Sequence, residues 1–172
     1  TPYGAPSERF KGAFVMPPKG TGIRKDVHVA DFSGMYPNII RSWNMSPETL
    51  VGMGAKRATE TTSWSPLTGA SFSTEKEGIL CAAVAELIRL RKVWAQKKAS
   101  AAPGTQEWQD AERRSGAYKI ATNSFYGVIG TPHGRFFDKR VAEAVTQCGA
   151  WLIHQTIQAA EDEGMEVIYG DT

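Results

Sequence analysis

The sequence predicts an α+β fold, an antiparallel sheet with packed helices into which an antiparallel helical hairpin is inserted. Three observations carry that expectation. Short β-like runs, Val27 to Phe32 and Glu166 to Tyr169, lie toward the two ends of the chain. Two stretches of helical periodicity stand back to back in the middle, divided by Pro103-Gly104. A third such stretch, from about Lys139 to Glu163, separates the hairpin from the last β-like run.

In chain order, Val27-His28-Val29-Ala30-Asp31-Phe32 alternates as a strand does and places Val27, Val29 and Asp31 on one side, with a carboxylate at its end. Ser33-Gly34 breaks it, and Tyr36-Pro37 opens a short helix through Asn38, Ile39, Ile40 and Trp43, with Pro37 suited to a first helical position. Around residues 60–77, Ser, Thr, Pro and Gly surround Trp64, Leu67 and Phe72, which reads as a linker holding a hairpin, with Pro66-Leu67-Thr68-Gly69 as its turn. From Gly78 to about Ala102, Ile79, Leu80, Ala83, Val84, Leu87, Ile88 and Trp94 recur at helical spacing. Thr105 caps the next helix, which carries Trp108, Ala111 and Tyr118 and stops at Gly127. After a Gly-rich and aromatic connection from Gly130 to Phe137, Val141, Val145, Cys148, Leu152 and Ile153 give the last helix a buried stripe. Gly164 is its C-cap, the strand Glu166 to Tyr169 follows, and the chain ends at Gly170-Asp171-Thr172.

With 172 residues and 41% hydrophobic side chains the chain can bury a core of single-domain size. A net charge of +2 does not by itself identify a nucleic-acid binder. The distribution says more, because Arg89, Arg91, Lys92, Lys97, Lys98, Arg113, Arg114 and Lys119 fall within one roughly thirty-residue segment, a local field of the kind phosphates attract. Cys81 and Cys148 lie in helical stretches without metal spacing and read as buried reduced thiols. No stretch is long and apolar enough for a membrane span and no leader opens the chain, so a protein of a reducing compartment without a membrane partner is expected.

Two groups of residues carry chemistry. Lys119, Asn123 and Tyr126 stand at i, i+4 and i+7, so a cation, an amide and a phenol share one helical face. That face suits a ligand with phosphates and a flat base, a nucleotide, although such a face is more often simply solvated. Asp31 and Asp171 each close a β-like segment and would meet at one sheet edge. Two-metal phosphoryl transfer needs carboxylates gathered in that way, since Mg²⁺ prefers oxygen ligands and leaves room for substrate phosphates.

Lys119-Ile120-Ala121-Thr122-Asn123-Ser124-Phe125-Tyr126-Gly127 resembles the fingers motif Lys-x-x-x-Asn-Ser-x-Tyr-Gly of family B, DNA polymerase alpha-like, DNA polymerases at every fixed position. Asp31-Phe32-Ser33-Gly34-Met35-Tyr36-Pro37-Asn38-Ile39-Ile40 is similar to the palm motif Asp-Phe-x-Ser-Leu-Tyr-Pro-Ser-Ile-Ile, departing from it at Gly34, Met35 and Asn38. Tyr169-Gly170-Asp171-Thr172 resembles the start of the third motif, Tyr-Gly-Asp-Thr-Asp-Ser. Upstream, Gly12-Ala13-Phe14-Val15 and Pro17-Pro18-Lys19-Gly20 look like the template-side Tyr-x-Gly-Gly region, with Phe10 in place of its tyrosine.

The resemblance implies a partial polymerase palm over residues 1–77 and 128–172, with a fingers helical hairpin over residues 78–127. It implies template-directed DNA synthesis in replication by nucleotidyl transfer from a dNTP to a primer 3′-OH, using two Mg²⁺ ions or Mn²⁺ in their place. Asp31, the Phe32 carbonyl and Asp171 would hold the metals; Ser33, Gly34, Met35 and Tyr36 would hold the triphosphate through backbone N–H groups, with Tyr36 also under the sugar. Arg91 and Lys119 would bind the triphosphate, Lys119 would donate a proton to pyrophosphate, and Asn123 and Tyr126 would shape the base-pair pocket. The family's lysine one turn after Arg91 is Ala95 here, so Lys92, Lys97 or Lys98 would have to take its place.

The third motif's second aspartate, a principal metal ligand of the family, lies beyond Thr172, so the segment alone is expected to be inactive. Thr1 in place of an initiator Met favours a partial gene sequence over a naturally divided polymerase or an intein-interrupted one. Roughly forty residues separate successive motifs, which favours a nucleic-acid primer over a protein primer. The implied partners are primer-template DNA, dNTP, the exonuclease, remaining palm and thumb parts, and a sliding clamp. The implied location is the cytoplasm, at a nucleoid or viral replication site, or the nucleus of a eukaryote. The competing reading is a non-catalytic polymerase relative that binds nucleic acid; a reverse transcriptase and an unrelated helical scaffold fit the motifs less well.

Overall fold

The computed structural model describes residues 12–172, and within them four helices and five short strands form an α+β arrangement. Strand β1 (Val15–Met16) pairs antiparallel with β5 (Gly170–Asp171), in the register Val15 to Asp171. Strands β2 (Leu50–Gly52), β3 (Thr62–Trp64) and β4 (Ser71–Ser73) form a second antiparallel sheet in the order β2-β4-β3. The helices are α1 (Met35–Ser42), α2 (Ile79–Ser100), α3 (Gln106–Gly130) and α4 (Lys139–Asp162).

One core joins these elements. Ile39 and Ile40 of α1, Phe72 of β4, Leu80 and Val84 of α2, Ile129 of α3 and Val141 and Val145 of α4 are all buried together. Residues 60–77 are therefore more than a linker: the turn after Ser65 closes the β3–β4 hairpin as expected, and Phe72 is fully buried. Trp43 Nε1 donates to the Trp64 carbonyl (2.9 Å), and Ser63 Oγ donates to the Trp43 carbonyl, so the hairpin is tied to the end of α1. β2 carries no readable period because it is three residues long.

Beyond Val84, α2 has no fully buried residue; it pairs with α3 as an antiparallel hairpin leaving the core. Three contacts join the outer parts of the two helices. Lys98 pairs with Glu112 (2.8 Å) and lies over the Trp108 ring, and Arg114 lies over the Trp94 ring. Thr105 caps α3, accepting from the Trp108 N–H. The helix does not stop at Gly127 but runs to Gly130, because Ile129, fully buried, anchors one further turn in the core. The α4 boundaries agree with expectation, and Gly164, at φ +78°, closes it with Met165 N–H bonded to the Ala160 carbonyl (3.0 Å). Cys81 and Cys148 are free and buried, and burial pushes their thiols up to about 12 and about 11.

Two expected strands are absent. Val27 to Phe32 is irregular and has no ladder partner among the described residues, and Val27, Val29 and Phe32 are exposed. Glu166 to Tyr169 is likewise irregular, and strand pairing begins only at Gly170. An alternating pattern supplies a face, but a strand also needs a neighbour for its N–H and C=O groups. Among the described residues, no helix is long and apolar enough to cross a membrane.

Glu48 supplies the cap that Gly78, the N-cap of α2, lacks. Its carboxylate accepts the Ile79 N–H and the Ser46 hydroxyl, both at 2.6 Å. Burial works against the charge, but these hydrogen bonds outweigh it and hold the carboxyl below its ordinary value. A lowered folded pKa means that the stabilisation is present above the ordinary carboxylate range and fades as pH falls through the folded value. Glu48→Ala should therefore speed amide exchange in the first turn of α2 roughly fivefold at neutral pH, the size of a lost cap, with the difference shrinking in acid. Equal exchange in the two proteins at pH 7 would show that Glu48 does not hold this helix start.

Candidate active site

The loop before α1 is shaped by two residues at which the sequence departs from the palm motif. Gly34 adopts φ +61°, a left-handed conformation that suits glycine, and the Asn38 amide donates to the Ser33 (2.8 Å) and Gly34 (3.1 Å) carbonyls. Asn38 thus closes the loop, a role hidden in the sequence. α1 begins at Met35, so Pro37 is its third residue rather than its first; its missing N–H is still one that the helix would leave unbonded. The Met35 and Tyr36 N–H groups also belong to that first turn, where the helix dipole favours an anion.

Tyr36 is where distant segments converge. Its ring lies 5.0 Å, centroid to centroid, from that of Tyr126 on α3. Its hydroxyl donates to Thr172 Oγ1 (3.1 Å), which also accepts the Phe14 N–H (3.1 Å) beside β1. Thr172 N–H returns a bond to the Phe14 carbonyl (3.1 Å), which extends the β1–β5 pairing by one residue. Burial, and then Tyr36, push the Tyr126 phenol up to about 12, so it stays protonated.

Asp171 is exposed on β5, adjacent to this junction, and accepts the Tyr169 hydroxyl at 2.9 Å, which raises the Tyr169 phenol's pKa. Asp31 and Phe32 are exposed in the irregular segment leading to α1. Only Asp171 of the two expected carboxylates is therefore in a strand. Both offer hard oxygen ligands from outside the core, which fits Mg²⁺, an ion held by one or two carboxylates together with substrate phosphates. No cluster of three or more His, Cys, Asp or Glu able to hold a metal occurs among the described residues.

Lys119 and Asn123 are exposed on α3, and Lys119 stands about 10 Å along the helix from Tyr126. The contacts between Trp94 and Arg114 and between Lys98 and Glu112 place Arg91 level with the α3 turn that contains Lys119. Much of the basic run is neutralised or occupied: Arg89 pairs with Glu86, Arg113 with Asp110 and Lys98 with Glu112, while Lys97 lies over Trp94. Arg91, Lys92 and Lys119 make no ion pair among the described residues. Of the three lysines that could replace the one missing at Ala95, Lys92 alone lacks such a contact. A groove of about 590 Å³ lies along the outer hairpin near Trp94, Lys97 and Arg114, remote from Tyr36, Asp31 and Asp171.

The model of DNA polymerase family B matches residues 3–172. The chain belongs to this family. As a family B member it is similar to DNA polymerase 2 of Aeropyrum pernix, 35% identical over 95% of this chain and 20% of that protein. It is also similar to DNA polymerase II of Escherichia coli, 33% identical over 97% of this chain and 19% of that protein. The solved family B DNA polymerase of the archaeon Pyrobaculum calidifontis superposes with a TM-score of 0.78 at 33% identity, covering 95% of this chain and 21% of that one. This family B chain thus spans about a fifth of the length of the curated relatives it matches. The reading of Phe10 as a template-side position lies outside the described residues.

Proposed function

We propose that this family B segment contributes part of the palm, residues 1–77 and 128–172, and the fingers hairpin, residues 78–127, to a longer DNA polymerase. That enzyme adds deoxynucleotides to a primer 3′-OH under template direction, with primer-template DNA and dNTP as its partners. The observation that carries this reading is the convergence on Tyr36 of Tyr126 from the fingers motif and Thr172 from the third motif. Three segments separated in sequence meet at one tyrosine.

In this proposal the backbone N–H groups of Ser33, Gly34, Met35 and Tyr36 bind the triphosphate, with the left-handed Gly34 exposing the turn to it. Arg91 and Lys119, level with one another and without acidic partners among the described residues, bind the same phosphates from the hairpin, and Lys119 donates a proton to the departing pyrophosphate. Asn123 and Tyr126 face the nascent base pair, with Tyr126 neutral as its raised pKa requires. Asp31 and the Phe32 carbonyl would be this segment's main ligands to two Mg²⁺ ions, or Mn²⁺ in their place, with Asp171 in a lesser part. When bound, these ions supply Lewis-acid stabilisation of the attacking and leaving oxygens.

The Tyr36 ring occupies the space that a ribose 2′-hydroxyl would need. In primer extension by the full-length protein, Tyr36→Ala should raise ribonucleotide incorporation by about 10²-fold or more relative to the parent, on the scale of removing a steric block from a binding pocket. Unchanged sugar discrimination would remove Tyr36 from this role. Template-dependent extension by the unsubstituted full-length protein is the direct test of the activity; primer binding without extension would favour the non-catalytic reading.

A further inference from the structure

Gly149 stands in the middle of α4, buried, at a position where nothing in the helix itself requires glycine. A β-carbon there would lie 3.0 Å from Tyr36 Cε1, 3.2 Å from Met35 Sδ and 3.5 Å from Thr172 Cγ2. Two other glycines inside a long helix, Gly116 and Gly127 of α3, would meet nothing within 4 Å. The glycine of α4 is thus the one of these three whose missing side chain is filled by a neighbour, and the neighbours are residues 35, 36 and 172.

The Tyr36 ring has little freedom to yield. Its hydroxyl is bonded to Thr172, itself held by Phe14, and the Tyr126 ring lies 5.0 Å away. A methyl group added at residue 149 would have to rotate the ring off its position or strain one of these contacts. We infer that Gly149 is a positioning residue for sugar selection: the space left by its absent side chain sets where the Tyr36 ring stands. The inference rests on the reading of Tyr36 as the ring that excludes a ribose hydroxyl.

The test uses the full-length protein and compares kcat/KM for a deoxynucleotide and the matching ribonucleotide. Gly149→Ala changes that ratio by about fivefold, the size of a modest displacement from a favoured rotamer, and does so chiefly through KM. Gly116→Ala leaves the ratio unchanged. In a Tyr36→Ala background, adding Gly149→Ala has no further effect, because the ring it displaces is gone.

A ratio unaffected by Gly149→Ala, or an effect of the same size in the Tyr36→Ala background, overturns the inference. If Tyr36→Ala alone leaves the ratio unchanged, the role of Tyr36 fails and the inference falls with it. If Tyr36→Ala relaxes the ratio while Gly149→Ala does not alter it, the inference fails alone. Should Gly149→Ala by itself prevent folding, the double variant decides: recovery of soluble protein on removing the ring supports the contact, and loss equal to that of the single variant overturns it.

Discussion

Asp31→Ala in the full-length protein should reduce primer extension by at least about 10³-fold, the scale expected when a ligand of catalytic metals is lost. The expectation follows from where Asp31 sits. It is exposed in the segment that leads into α1, outside the core, and four residues before the first turn of that helix. Its removal leaves the packing of Ile39, Ile40 and Phe72 untouched, so the thermal unfolding profile should be unchanged. A variant that is folded and retains extension within tenfold of the parent would remove Asp31 from the metal-binding role. Asp171→Ala should be milder, since in the proposal its carboxylate plays the lesser part.

Lys119→Ala should slow nucleotide addition by about 10²- to 10⁴-fold, the range for loss of a general acid or of a charged donor to a transition state. Lys119 is exposed on α3 and makes no ion pair among the described residues, so its cation is available to a ligand. It stands two turns from Tyr126, on the hairpin, away from the core that would position primer and template. Primer-template affinity should therefore change by no more than about twofold, because one distant cation contributes little to a multi-phosphate contact. Pre-steady-state addition rates and equilibrium binding measured on the same preparation separate the two. Equal losses in both would make Lys119 a DNA-binding residue instead.

Sequence periodicity revealed the parts of the fold that depend on local interactions. The α2–α3 hairpin and α4 were legible because their apolar spacing, the Thr105 cap and the Gly164 terminator all act within a few residues. The β3–β4 hairpin was legible from its turn residues, but the two runs nearer the ends were not, since Val27 to Phe32 has a strand's alternation without a strand's partner. Gly127 misled for a related reason: glycine permits a stop, but the burial of Ile129 two residues later decides that the helix goes on. At the site, the residue types in the two motifs were readable, and Tyr36 and Tyr126 do meet. The hydroxyl of Thr172, the amide of Asn38 and the gap at Gly149 were hidden because each acts through a contact that only the folded chain creates.

The Thr172 hydroxyl also sets an order of events during synthesis. It joins residues 14, 36 and 172, so two of its bonds close loops of 158 and 136 residues, whereas the hairpin of α2 and α3 needs only its own neighbours. Contacts between neighbours form early and contacts across long loops form late. On the ribosome, the hairpin can assemble soon after residue 130 emerges, while Tyr36 waits for the last residues of this segment before its hydroxyl has an acceptor. A nascent chain arrested before residue 170 should therefore show a protected hairpin and an unanchored Tyr36.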